Sequence, residues 1–138
     1  MEKLNLPVEE FTTPDPVTTT ENASVDELRR LMTEHGVRHL PVLRDGKVVG
    51  IVSERDLKVV ACLDLKEKIL VRAGDIMASD PFTVSSTATL DEVAFEMSQR
   101  KIGSVMVNEG DNFLGIFTAT DALNALIEIT RGIETDRV

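Results

Sequence analysis

The sequence predicts an α+β protein built from two copies of one strand–helix–hairpin–helix unit, packed about a pseudo-twofold axis. Three observations carry this. The stretch Gly50-Ile51-Val52-Ser53-Glu54-Arg55-Asp56 recurs as Gly115-Ile116-Phe117-Thr118-Ala119-Thr120-Asp121, 65 residues on. The same offset pairs Pro16 with Pro81, Asp26-Glu27 with Asp91-Glu92, Met32 with Met97 and Val42 with Val107, without a gap from Asp15/Asp80 to Asp56/Asp121. Such a repeat marks a duplicated supersecondary unit. Finally, each copy carries too few strands to cover its own apolar sheet face, so the copies are expected to pack on each other.

In the first copy, Pro14-Asp15-Pro16 punctuates the chain and Val17-Thr18-Thr19-Thr20 is a β-branched extended piece. A helix follows, with Val25, Leu28, Leu31 and Met32 on one face. Ser24 is its N-cap, Glu27 completes a capping box, and Gly36 stops it in the left-handed conformation that glycine favours. Leu40–Leu43 and Val48–Val52 form a hairpin around Asp45-Gly46. A second helix starts at Ser53 and runs into Val59–Leu63.

The second copy repeats the plan. Phe82-Thr83-Val84 is extended, and Thr89 caps a helix bearing Leu90, Val93 and Met97. Ser104–Val107 and Phe113–Phe117 are the hairpin strands, and a last helix spans about Ala119 to Thr130. The expected division is residues 1–13 as an N-terminal segment, 14–63 and 79–130 as the repeats, 64–78 as a helix-plus-loop connection, and 131–138 as a polar, frayed tail.

Composition narrows the function. Acidic residues outnumber Lys and Arg by 24 to 15, a net charge of −9, which argues against a general nucleic-acid or membrane-surface binder. No apolar run approaches the roughly 20 residues of a membrane span, and the N-terminus lacks the order of a signal peptide. A single cysteine, Cys62, excludes an internal disulfide, and a cytoplasmic location is expected. Cys62 lies in the apolar run Val59–Leu63, which predicts a buried, inert thiol. No nucleophile elbow, zinc-protease helix or P-loop is present, so no catalytic residues are assigned. His35 and His39 stand four apart but Gly36 breaks any helix between them, so no metal site is assigned either.

The repeated hydroxyl and aspartate have two readings. Ser/Thr-x-x-Asp at a helix start is a capping box, and an acid there suits the helix dipole. Equally, a strand that ends at a helix N-terminus leaves N–H groups facing a crevice. A carboxylate in that place can accept hydrogen bonds from both hydroxyls of a ribose.

The order of elements and the paired Gly-apolar-apolar-Ser/Thr-x-x-Asp motifs resemble a tandem pair of cystathionine β-synthase (CBS) domains, a Bateman module. Val37-Arg38-His39-Leu40-Pro41-Val42 and its counterpart Ile102-Gly103-Ser104-Val105-Met106-Val107 strengthen the resemblance, which covers about Pro14 to Ala125. It implies a regulatory module that binds an adenine nucleotide, AMP or ATP, in the cleft between repeats and signals by conformational change. NAD, ADP and S-adenosylmethionine share the same ribose. The resemblance places ribose binding on Ser53/Asp56 and Thr118/Asp121. It places the base and phosphate ends on Val37, Arg38, His39 and Pro41 in the first copy, and on Ile102, Gly103, Ser104 and Met106 in the second. Arg55 and Thr120 lie within the motifs themselves. Because Arg38, His39 and Arg55 of the first copy correspond to neutral Gly103, Ser104 and Thr120 in the second, the first site is expected to prefer the more anionic ligand. The resemblance further implies a homodimer formed through helices, and an effector protein encoded separately. The alternative is a scaffold that dimerises or docks without any ligand, its motifs serving as helix caps alone.

Overall fold

The computed structural model describes residues 5–136, with side chains to 132. In chain order the elements of the first half are β1 (Thr13–Pro14), β2 (Thr19–Thr20), α1 (Val25–His35), β3 (His39–Arg44), β4 (Lys47–Ser53), α2 (Glu54–Val60), α3 (Leu65–Lys68) and α4 (Ala73–Ile76). There follow β5 (Ala78–Ser79), β6 (Thr83–Ser85), α5 (Leu90–Arg100), β7 (Ser104–Glu109), β8 (Asn112–Thr118) and α6 (Ala119–Asp136). They form two compact units. One is Pro16–Pro81; the other joins the chain up to Asp15 with the chain from Phe82 onward.

In the first-repeat unit the sheet order is β2-β3-β4-β5. β2 runs parallel to β3, and β3 and β4 form the antiparallel hairpin. Asp45 and Gly46, at φ 51° and 78°, make its two-residue turn; positive φ at both positions matches the right-handed twist of the strands. On α1, Ser24 Oγ accepts from the Glu27 amide at 3.2 Å and Gly36 closes the helix at φ 63°. Leu28, Met32, Leu40, Val42, Val52 and Leu57 form the core of this unit. Position-two alternation on the strands and 3.6 periodicity on α1 put them on one side.

The second-repeat unit has the matching order β1-β8-β7-β6. Its core gathers Val8, Val93, Met97, Val105, Val107 and Phe117. Both hairpins carry a register shift at the same repeat position, between Val42 and Leu43 and between Val107 and Asn108.

One edge strand of each sheet, β1 or β5, straddles a predicted repeat boundary. β5, from the connection, pairs with β4 so that Ser79 lies opposite Gly50. β1, from the N-terminal segment, pairs with β8 so that Pro14 lies opposite Gly115. The exchange reaches further back, through bridges between Ser24 and Arg72 and between Thr89 and Pro7. Val8 and Ala73 occupy equivalent places, each wholly buried in its unit. The motif glycines are explained by this pairing. A Cβ on Gly115 would fall on the carbonyl oxygen of Thr13, and one on Gly50 would lie 2.7 Å from Met77 Cγ.

Three local expectations are corrected. Thr89 makes no side-chain cap; the Leu90 amide donates instead to the carbonyl of Leu6 at 2.7 Å, so a neighbouring segment does what a hydroxyl would. α6 continues to Asp136, well beyond Thr130; residues 137–138 of the predicted tail lie outside the described residues. Cys62 is exposed, because α2 ends at Val60 and the chain turns there. Of its apolar neighbours, Val59 is 67% and Leu63 37% exposed.

Candidate functional site

Each motif sits where a central strand becomes a helix. β4 ends at Ser53 and α2 begins at Glu54; β8 ends at Thr118 and α6 begins at Ala119. The hairpin then brings the opening of its first strand alongside. His39 is opposite Ser53, and the Glu54 amide donates to the carbonyl of Arg38 at 2.8 Å. Likewise Ser104 is opposite Thr118, and the Ala119 amide donates to the carbonyl of Gly103 at 3.0 Å. Arg38, His39, Ser53 and Asp56 therefore share one corner of the first unit. Gly103, Ser104, Thr118 and Asp121 share the matching corner of the second.

Both capping boxes are complete. Asp56 Oδ2 accepts from the Ser53 amide at 2.8 Å while Ser53 Oγ accepts from the Asp56 amide at 3.2 Å. Asp121 Oδ2 accepts from the Thr118 amide at 2.8 Å and Thr118 Oγ1 accepts from the Asp121 amide at 3.3 Å. These bonds satisfy amides that a helix start leaves without an intrahelical acceptor. They also fix each carboxylate's orientation.

The two corners differ in how much acceptor capacity remains. Thr118 Oγ1 also donates to Asp121 Oδ2 at 3.0 Å, and Thr13 Oγ1, arriving on β1, donates toward Oδ1 and Oδ2 at 3.3 and 3.4 Å. The residue equivalent to Thr13 is Ala78, which has no hydroxyl. Among the described residues, Asp56 Oδ1 accepts no hydrogen bond. Sequence reasoning did not single out Thr13. Its only signal was position, one residue before the aligned Pro14-Asp15-Pro16 punctuation.

The flanking residues fall into distinct environments. Arg38, Arg55, Gly103 and Thr120 are exposed, while Val37, His39, Ser53, Asp56, Ile102, Ser104, Thr118 and Asp121 are half-buried. Pro41 and Met106 are fully buried, so their side chains present no surface to a ligand. His39 is held below the usual histidine range: loss of hydration disfavours the imidazolium, the Asp56 carboxylate opposes this, and the Arg38 cation adds to it. At neutral pH its ring is uncharged and can accept or donate a hydrogen bond. Arg38 itself lies 3.8 Å from Glu54 in an exposed pair, too solvated to hold the guanidinium strongly. Among the described residues no group of His, Cys, Asp or Glu is arranged to hold a metal ion, and no helix is long and apolar enough to cross a membrane.

Two copies of one α+β unit, each ending a strand in a hydroxyl and placing an aspartate on the next helical turn, define a tandem-repeat module. The family model for the CBS domain matches residues 8–61 and 73–128, and the chain belongs to that family. The starts of the two matches, residues 8 and 73, keep the 65-residue offset, and the matched ranges include β1 and β5. The crystal structure of CBSX2 in complex with AMP superposes with a TM-score of 0.79 at 27% identity, covering 91% of this chain and 98% of that one. The CBS domain pair of protein MJ0100, in complex with 5′-methylthioadenosine and S-adenosyl-L-methionine, gives 0.79 at 26% identity, covering 92% and 99%. An inosine-5′-monophosphate dehydrogenase from Korarchaeum cryptofilum is 39% identical over 114 residues, 82% of this chain. The chain spans 23% of that enzyme's length, and under half of the length of the other curated relatives it matches.

Proposed function

We propose that this chain is a regulatory, non-catalytic module that binds an adenine nucleotide of the AMP or ATP type and responds by a change of conformation. The observation that carries this is the carboxylate pair: Asp56 and Asp121 are each held by a backbone amide at 2.8 Å beside a hydroxyl, at equivalent strand-to-helix corners. A ribose diol needs an acceptor so placed. Similarity to a protein that binds AMP and to one that binds 5′-methylthioadenosine and S-adenosylmethionine supports an adenosine-containing ligand. In the first repeat, Asp56 Oδ1 is the open acceptor, with Arg38, His39 and Arg55 available to the phosphates. In the second, a ligand shares Asp121 with Thr13. The Asp56 corner is therefore the tighter and more anion-selective of the two.

The remaining parts of the reading follow the family: two copies associate as a homodimer in the cytoplasm and act on an effector encoded elsewhere. Ligand binding changes the output only as far as it distinguishes the conformations it meets.

A scaffold without ligand is the second reading, favoured by the completeness of both capping boxes, which accounts for the motifs as helix starts. Titration calorimetry with AMP, ATP and S-adenosylmethionine separates the two. Saturable binding that Asp56→Ala abolishes at the stronger site supports the sensor. Heat signals indistinguishable from dilution at millimolar ligand, in the intact chain, leave the scaffold.

A further inference from the structure

The two motif aspartates hold the same fold position but carry different loads. Thr118 Oγ1 donates to Asp121 Oδ2 at 3.0 Å, and the Thr118 amide reaches the same oxygen at 2.8 Å. Two donors fill the two lone pairs of that oxygen. Thr13 Oγ1 then spans both carboxylate oxygens at 3.3 and 3.4 Å, so the Oδ1 side is also engaged, by a long, shared bond. At Asp56 the Ser53 amide is the single donor among the described residues. Repeat symmetry locates the cause. Thr13 lies opposite Ile116 on β8, and Ala78 lies opposite Ile51 on β4; each of these pairs of equivalents, Thr13 with Ala78 and Ile51 with Ile116, is 65 residues apart. One edge-strand position therefore carries a hydroxyl in one unit and a bare methyl in the other. Asp56 and Asp121 are both half-buried, where an acceptor left without a donor is costly.

We propose that Thr13 sets the sugar selectivity of the second corner. Its hydroxyl stands in for one hydroxyl of a ribose, so the Asp121 corner takes ribose and deoxyribose forms of an adenine nucleotide nearly alike, while the Asp56 corner requires the full cis-diol. The proposal rests on the adenine-nucleotide reading above and adds a ligand preference that divides the two repeats. A site built to hydrogen-bond a ligand hydroxyl rejects the analogue lacking it, because its own acceptor is left unpaired. Asp56 has no side-chain donor to cover that acceptor, so each missing hydroxyl is felt in full. At Asp121 a deoxy ligand leaves Thr13 seated and the carboxylate satisfied. A ribose that uses both oxygens must instead displace Thr13, exchanging one hydrogen bond for another with little net gain. Thr13 is exposed and β1 is two residues long, so the exchange needs no movement of the core.

Calorimetry on the full chain tests this with AMP or ATP, whichever binds the tighter, and with its 2′-deoxy and 3′-deoxy forms. Asp56→Ala isolates the second corner and Asp121→Ala the first. At the first corner, loss of either hydroxyl should weaken binding at least about tenfold, as a hydrogen bond to a charged group is worth. At the second corner the change should stay within about threefold. Thr13→Val keeps the β-branched shape and removes the donor; in the Asp56→Ala background it should tighten the ribonucleotide and bring the discrimination up to that of the first corner. Thr13→Ser keeps the hydroxyl and should leave the ratio as it was. Ala78→Thr should blunt the discrimination at the first corner. Equal discrimination at the two corners, or a ratio at the second corner that Thr13→Val leaves unchanged, would overturn the proposal and leave the nucleotide reading standing. So would a second corner that binds no nucleotide with or without Thr13→Val. Failure of the natural chain to bind any of these nucleotides at millimolar concentration removes the nucleotide reading, and the proposal with it.

Discussion

Replacing Gly115 by alanine should cost far more than a surface glycine would. The new Cβ would overlap the Thr13 carbonyl oxygen and stand 3.0 Å from Thr12 Cγ2; because the first obstacle is backbone, only withdrawal of β1 relieves it. Withdrawal breaks the pairing of Thr13 and Pro14 with Ile116 and Gly115, worth about 1 kcal/mol per hydrogen bond. It also loosens Val8, which is wholly buried against the core, at about 1.5–3 kcal/mol if fully exposed. A loss of about 2–4 kcal/mol is expected. Gly50→Ala is the internal control: there the nearest obstacle is the flexible Met77 side chain, with the Ala78 carbonyl at 3.1 Å, so about 1–2 kcal/mol is expected. Urea denaturation followed by circular dichroism measures both. Equal losses, or a larger loss at Gly50, would refute the claim that backbone proximity at the exchanged edge dictates the motif glycine. Release of β1 also removes Thr13 from Asp121, so ligand binding at that corner should change along with stability.

Three further substitutions have defined outcomes. His39 has its folded pKa depressed, chiefly by burial; its neutral form contributes stability above the unfolded value of about 6.5, lost as pH falls through the folded pKa. His39→Gln should therefore flatten the decline in melting temperature between about pH 7 and 5; an unchanged slope would show that other groups set it. Ser53→Ala should destabilise by about 1 kcal/mol as a lost helix cap, measured by urea titration. Thr118→Ala should cost more, since Thr118 Oγ1 both accepts from the Asp121 amide and donates to its carboxylate; a smaller loss at Thr118 would contradict that added bond.

What the sequence determined by itself is short in range. Ser24 and Gly36 bound α1, Asp45-Gly46 turns the first hairpin, and Ser53/Asp56 and Thr118/Asp121 start their helices, because each needs only groups a few residues away. The doubled motif was legible for the same reason, and with it the family and the corners of the candidate site. Tertiary structure alone decided what depends on distant partners. β1 and β5 are two residues each, too short to show a period, so their exchange onto β8 and β4 left no pattern to read. The Thr13 contact with Asp121 and the Leu6 carbonyl serving α5 in place of Thr89 are consequences of that kind. A hydrogen bond or a buried surface between segments far apart in the chain is set by the packing that brings them together, and a linear pattern records only one side of it.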